Sequence, residues 1–471
     1  MNLTETLAAI RSGPQGPRVA AVFDFGAVVD GFARPRLYRT FFRRGAGAAT
    51  TLLGGIRSGR TDAEYRRFLQ QASFALAGRT AEDLDQLGAA LFKSTVYGHI
   101  YPEAWQLIRT HRAAGHTVVL VSSLTRFQVA PAAAALDIPH VLCTPMATVD
   151  NLLTGYAEGK TLWRNGKADA VRAFADAHDL DLAESYGYAD AAADLPLLTL
   201  LGRATAVNPD RGLAATAAER QWSALTFRPR RAPRPADYAR TAAGFLALLG
   251  GACTGVLSKS YTRRRRDMAD ALMAHGTSAT LAALGVRLRV TAGAEYASAP
   301  RPAVFLFNHQ SQFDVIIVPK VLGGGVTGIG KQELTKNPVF GPLMRFVGVT
   351  FIDRRDSAKT RAALAPVVAT LRAGLSIAIA PEGTRSYTPE VGPFKKGAFH
   401  IAQQAGVPVI PVVIRNAGEI SWRNSMVARR GTVEVALLPP IEVGAWTPAE
   451  FDAQVAAVRQ RYIDTMLNWP E

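Results

Sequence analysis

A histidine and an aspartate five residues apart stand in the stretch Asn308-His309-Gln310-Ser311-Gln312-Phe313-Asp314. A neutral imidazole can take a proton from a hydroxyl, and a neighbouring carboxylate can fix its tautomer and stabilise the imidazolium that forms. Residues five apart do not share a helix face, so the two side chains need a strand-to-helix corner to meet. The sequence supplies one. The run 303–307 (Ala-Val-Phe-Leu-Phe), entered from Pro302, reads as a buried strand, and a helix is expected from about Asp314. Of the eight histidines, His309 alone has an aspartate five residues later. The plain alternative is a helix-capping aspartate beside a structural histidine.

Three further stretches follow in order: Gly348-Val349-Thr350-Phe351-Ile352-Asp353-Arg354, Pro381-Glu382-Gly383-Thr384-Arg385-Ser386 and Val407-Pro408-Val409-Ile410-Pro411. With the first they resemble the four sequence blocks of the 1-acyl-glycerol-3-phosphate acyltransferase family, over roughly residue 285 to the C-terminus. The resemblance implies transfer of a fatty acyl group from acyl-CoA or acyl carrier protein to the free hydroxyl of lysophosphatidate, giving phosphatidate with no cofactor. His309 would remove the hydroxyl proton and Asp314 would orient it. Arg354 and Arg385 would grip the acceptor's phosphate, since a guanidinium pairs with phosphate bidentately. Lys331 is a weaker cation candidate. Glu382 would position the acceptor or Arg385, and amides near Gly383 and Thr384 are candidate oxyanion donors. The plain readings are an ion pair of Arg354 with Asp353 or Asp356, a surface Lys331 and a structural Glu382. Phe394-Lys395-Lys396-Gly397 is either a basic helix entry near the site or a solvated face. The segment holds no cysteine, because Cys143 and Cys253 both precede it, so direct attack is favoured over an acyl-enzyme.

A second set of reactive residues precedes these. Asp24 ends the apolar run 19–23, Ser122 ends a run at 117–121, Lys167 opens a helix, and Asp190 and Asp194 follow a strand at 185–188. Carboxylates hold a hard cation, and a lysine neutralises charge on a transferred group. Over about residues 18–210 these positions look like the haloacid dehalogenase-like phosphatase superfamily, in the branch with a helical cap. The resemblance makes Asp24 the nucleophile, Ser122 a phosphoryl ligand and Lys167 the charge partner. Asp190 and Asp194 would organise Mg²⁺, with Asp24, the Gly26 carbonyl and Asp190 nearest the metal. One departure stands out: the family's Asp-x-Asp-Gly reads Asp24-Phe25-Gly26-Ala27 here. The missing second aspartate is the family's general acid, whose loss costs on the order of 10²–10⁴ in rate. Asp30 lies too far along the chain to substitute. This domain is expected to be a weak or inactive phosphatase; the alternatives are a phosphate-ligand module and an active Mg²⁺-dependent phosphatase making the protein bifunctional.

The elements that must position these groups alternate strand and helix in both halves, which indicates two α/β domains. The first is a doubly wound parallel sheet (18–215) with helical cap stretches near 63–76 and 81–92. A Pro/Arg linker (216–240) follows, then apolar membrane-associating helices (241–285) and the acyltransferase-type domain (286–471). Residues 1–18 read as a flexible lead-in. The uncharged run 241–257 falls short of the roughly 20 strongly apolar residues of a full span. A helix lying in or dipping into one leaflet is favoured over a spanning or a buried one, with Arg263–Arg266 meeting anionic headgroups.

Composition agrees. The chain of 471 residues is 48% hydrophobic and 20% charged, which suits ordered domains. A net charge of +16 implies an anionic partner. No zinc-finger or aromatic-interleaved basic motif is present, so a membrane surface and a phosphorylated substrate are expected rather than nucleic acid. Two distant cysteines and no secretory pattern at the N-terminus point to the cytoplasmic face of the cell membrane.

Overall fold

Short aliphatic strands alternate with amphipathic helices along the chain, and they assemble into one large sheet in each of two units, Met1–Arg231 and Ala232–Glu471, with a small two-stranded sheet besides in the first. The structure is a computed structural model. It describes residues 2–30, 61, 63–64, 74, 76–94, 96–230, 233–298, 300–338, 340–352, 365–385, 390–421, 423 and 425–470.

The first unit opens with helix α1 (Leu3–Ser12), where a flexible lead-in was expected. Asn2 and Glu5 form a capping box, and Ile10 is fully buried, so the segment is anchored at both ends. Strand β1 (Ala20–Asp24) is buried at every residue, as an aliphatic run in a parallel sheet must be. Next come helix α2 (Pro102–Ala113), β2 (Thr117–Thr125), β3 (His140–Thr144), an antiparallel hairpin β4 (Met146–Val149) and β5 (Leu152–Ala157), helix α3 (Asn165–Ala177), and strands β6 (Tyr186–Ala189), β7 (Arg203–Val207) and β8 (Ser223–Leu225). The sheet order is β3-β2-β1-β6-β7-β8, with every neighbouring pair parallel. The chain's path from β1 goes first to β2 on one side and later to β6 on the other. That divergence opens a crevice at the carboxyl end of β1. Of the expected cap, the helix Ala81–Ser94 is present, and most of 63–76 lies outside the described residues.

The stretch expected to be an extended linker is partly strapped to this unit. Phe227 is buried, its amide donates to Asn208 Oδ1 (2.8 Å), and Asn208 Nδ2 donates back to its carbonyl (3.1 Å).

The second unit begins with two antiparallel helices, α4 (Pro235–Lys259) and α5 (Arg265–Leu284). Glycines line their seam: a β-carbon on Gly251 would meet the His275 carbonyl oxygen at 2.7 Å, and one on Gly255 would meet that of Ala271 at 2.5 Å. Only residues without a side chain allow backbones so close. The following strands are β9 (Val286–Ala292), β10 (Val304–Phe307), β11 (Val326–Lys331), β12 (Thr350–Ile352), β13 (Ser376–Ile379), β14 (Val409–Arg415) and β15 (Gly431–Leu437). Their order is β12-β11-β13-β10-β14-β15-β9, with β9 at the edge as expected and only β14–β15 antiparallel. Because side chains alternate along a strand, Ala303 and Phe305 enter one core and Val304 and Leu306 the other. Helix α6 (Asp314–Leu322) packs into the first core. Helices α7 (Ala365–Arg372), α8 (Gly397–Ala405) and α9 (Phe451–Leu467) pack into the second. β10 lies between β13 and β14, so the loops after these three strands open at one end of the sheet.

Candidate active sites

At the end of β10 the chain turns sharply into α6, and the turn brings His309 and Asp314 together. His309 Nδ1 is 2.7 Å from Asp314 Oδ2, which also accepts the amides of Gln310 (2.9 Å) and Ser311 (3.0 Å). An oxygen that accepts all three bonds places the imidazole proton on Nδ1 and leaves Nε2 as the acceptor. Asp314 is fully buried while the His309 side chain keeps 21% of its surface open, so the carboxylate is sealed behind a reachable base. Asn308 locks the corner to the sheet: its Nδ2 donates to the Ile414 carbonyl (2.9 Å) and the Ile414 amide donates to its Oδ1 (2.7 Å). The Ser311 hydroxyl donates to the Ser421 carbonyl at 2.8 Å.

The turn after β13 supplies the second wall. Glu382 is buried, and its Oε1 has no hydrogen-bond partner among the described residues. Burial pushes its carboxyl up to about 8; the His309 amide opposes the shift and the charge of Asp314 adds to it. Gly383 has φ +74°, a conformation open to glycine, and its amide donates to the Ala380 carbonyl (3.1 Å). That bond commits the Gly383 amide to the turn rather than to an oxyanion. Arg385 donates to the Arg423 carbonyl (3.2 Å), and Arg423 donates to Thr384 Oγ1 (3.1 Å) and to the Arg385 carbonyl. The sequence reading missed Arg423, because no motif surrounds it and only the fold brings it to this turn. The two lysines of the basic helix entry part ways. Lys395 lies across Gly383, whereas Lys396 forms an exposed ion pair with Asp452 (2.5 Å). Arg354, Asp353, Asp356 and Ser386 lie outside the described residues, as does the Lys331 side chain.

In the first unit, the crevice at the end of β1 gathers Asp24, Ser122, Lys167, Asp190 and Asp194. Lys167 Nζ donates to Asp24 Oδ1 (2.5 Å) and Asp194 Oδ1 (2.6 Å) in a buried triad. Ser122, expected just past a strand ending at 121, is buried inside the longer β2, its Oγ accepting the Leu124 amide (3.2 Å). Burial alone would lower the lysine's pKa, but the two carboxylates outweigh it and hold the ammonium charged. Burial raises Asp190 well above the carboxylate range and Asp194 to about 7, with charge from Asp24 adding to both. Three carboxylates with ligand atoms within 4.8 Å of one another face a single ammonium. This excess of hard oxygen donors and unbalanced charge fits Mg²⁺. Gly26 leaves no room for a side chain, since a β-carbon there would sit 2.4 Å from Asp190 Oδ1. Asp30 is turned to other partners, accepting from Tyr101 Oη at 3.2 Å.

The α4–α5 pair exposes apolar side chains. Leu246 and Leu257 are 71% and 70% exposed, and Tyr261 beyond them is 75% exposed. The helical stretch Pro235–Thr262 is long and apolar enough to cross a membrane by length and composition. Of the following arginines, Arg265 donates to the carbonyls of Arg345 and Phe346, and Arg266 pairs with Asp270. Arg263 and Arg264 are exposed.

Comparison with known proteins finds a family for each unit. The Acyltransferase family matches residues 288–415, and the haloacid dehalogenase-like hydrolase family matches residues 21–199. Over 173 residues the chain is 36% identical to the 1-acyl-sn-glycerol-3-phosphate acyltransferase of Salmonella typhimurium, covering 36% of this chain and 68% of that protein. It is 34% identical to the enzyme of the same name from Saccharomyces cerevisiae over 178 residues, covering 36% of this chain and 56% of that protein. Among solved structures, it is similar to the LPA acyltransferase PlsC of Thermotoga maritima, with 23% identity and TM-score 0.42 over 49% of this chain and 95% of that one. Two α/β units, one with a haloacid dehalogenase-like domain and one with an acyltransferase domain, thus define the class. Through its second unit the chain belongs to the 1-acyl-sn-glycerol-3-phosphate acyltransferase family, spanning 56–68% of the length of these two curated relatives.

Proposed function

We propose that the second unit transfers a fatty acyl group from acyl-CoA or acyl carrier protein to 1-acyl-glycerol-3-phosphate, making phosphatidate for phospholipid biosynthesis. The supporting observation is the 2.7 Å bond between the His309 ring and buried Asp314, which leaves Nε2 as the acceptor. His309 takes the hydroxyl proton as the acceptor oxygen attacks the thioester carbonyl. The tetrahedral oxyanion then collapses, the C–S bond breaks, and the thiolate leaves with the proton returned by His309. Arg385 and Arg354 hold the acceptor's phosphate with Lys331, and the Thr384 amide is the oxyanion donor nearest the site's turn. The exposed apolar face of α4, with Arg263 and Arg264, seats the unit in an anionic membrane surface on the cytoplasmic side. Product analysis by mass spectrometry tests this reading, using purified protein, acyl-CoA or acyl carrier protein, and several lyso-acceptors. Phosphatidate that disappears with His309→Ala supports it, and an active His309→Ala protein overturns the base.

A second reading gives the first unit a phosphatase activity of its own, favoured by the assembled Asp24–Lys167–Asp194 triad. Mg²⁺, held by Asp24, Asp190 and the Gly26 carbonyl, would neutralise charge on a phosphoryl group. In this reading Asp24 would attack that group, Ser122 would bind it and Lys167 would balance the nucleophile. With Gly26 where the general acid belongs, turnover is slow or lost. Phosphate release that depends on Asp24, measured with and without Asp24→Asn, decides between this and a binding role.

A further inference from the structure

The last helix, α9, lies wholly beyond residue 415, where the match to the Acyltransferase family ends. Two of its residues one turn apart share a face and reach the loops of the catalytic end. Tyr462 is fully buried and its hydroxyl donates to the Leu306 carbonyl at 2.6 Å. Leu306 belongs to β10, three residues before His309. Arg459 donates from Nε to the carbonyls of Val391 (3.1 Å) and Gly392 (3.0 Å), and from Nη2 to that of Val391 (2.7 Å). The loop it clamps backs onto the site, because a β-carbon on Gly392 would lie 3.5 Å from Glu382 Cγ. One helix therefore ties down both the strand that delivers the base and the loop that supports the buried acid.

We propose that Arg459 and Tyr462 are positioning residues for acyl transfer, Tyr462 fixing the β10 end that presents His309 and Arg459 fixing the Val391–Gly392 backbone behind Glu382. The inference rests on the acyl-transfer reading of this site. Neither residue touches substrate. A fork of guanidinium N–H groups suits two adjacent carbonyls as a single ammonium does not, and a phenol hydroxyl fixes one carbonyl without adding charge. Loss of either loosens the geometry of the site while leaving its chemical groups in place, which reduces kcat rather than substrate affinity.

The test compares full-length wild type with Tyr462→Phe, Arg459→Met and Arg459→Lys. It measures steady-state kinetics with acyl-CoA and lysophosphatidate, and the rate of His309 carbethoxylation by diethyl pyrocarbonate read by mass spectrometry. Expected are a 5- to 50-fold fall in kcat for Tyr462→Phe and Arg459→Met with each KM within about twofold, and partial recovery in Arg459→Lys. His309 labelling should change at least threefold in the variants that lose kcat. Should Arg459→Met fail to fold, Tyr462→Phe and Arg459→Lys carry the test, since both keep the bulk of the side chain. Unchanged kcat and unchanged labelling overturn the proposal. A wild type that makes no phosphatidate overturns the acyl-transfer reading instead, and the labelling rates still decide whether α9 positions His309.

Discussion

A β-carbon on Gly26 would stand 2.4 Å from Asp190 Oδ1. The space that an acid at this position would need is already filled by another carboxylate of the same crevice. Gly26→Asp is expected to give no gain in hydrolysis of p-nitrophenyl phosphate. Overpacking of about 1–3 kcal/mol should lower the melting temperature of the first unit, read by scanning calorimetry. A gain in hydrolysis with unchanged melting would show that the crevice opens freely.

The crevice also predicts a linked response to pH and metal. Burial raises Asp190 and brings Asp194 to about 7, both above the values such groups have in an unfolded chain. Raised carboxyl pKa values contribute stability that is full below pH 4 and is lost as pH rises through 7. The first unit should melt earlier at pH 8 than at pH 6 in a chelating buffer. Millimolar Mg²⁺ should shrink that difference, because a cation favours the ionised carboxylates. Melting curves with Mg²⁺ and with a chelator, at both pH values, check it.

At the second site both partners should be needed for rate. His309→Ala removes the proposed base and should reduce acyl transfer on the order of 10²–10⁴-fold. Asp314→Asn keeps the volume but no longer offers a carboxylate to Nδ1–H, so it should also lose rate with KM little changed. Circular dichroism should show both variants folded. A full-rate Asp314→Asn protein would remove the tautomer argument.

Glu382 gives a third pH signature. Its carboxyl is raised by burial to about 8, so its contribution favours the folded state most at low pH and fades as pH passes 8. Glu382→Gln should flatten the loss of stability of the second unit between pH 7 and 9, measured by urea unfolding. An unchanged pH dependence would mean that the group is ionised throughout.

The exposed side chains of α4 should govern lipid binding. Leu246→Asp with Leu257→Asp should lower sedimentation with phosphatidylglycerol vesicles at least tenfold, with little effect on melting, because both positions are about 70% exposed. Gly255→Leu should instead lower melting, since its side chain would meet the Ala271 backbone.

Both sheets and the His309–Asp314 corner were legible because aliphatic runs, a polar break and a fixed spacing are all local signals. The helix Gly397–Ala405 and the edge strand Val286–Ala292 follow from the same local signals. Less was visible where the cause is distant. Arg423, Arg459 and Tyr462 reach the site only after the chain has folded, and nothing in their neighbours' identities announces it. The hairpin β4–β5 had a readable turn, Asp150-Asn151, with both residues at positive φ, but strands of four and six residues are too short to stand out. Helix α1 also had its signature, since Asn2 and Glu5 carry the capping-box spacing. The Pro and Gly that follow carry the opposite, loop-forming signal.

Asn308 grips Ile414 by donor and acceptor at once, much as one base reads another. An insertion or deletion between these strands would have to preserve that two-point latch to keep the imidazole in place. The loops between the two strands can lengthen without disturbing that latch, while the corner itself leaves almost no room for a change of register.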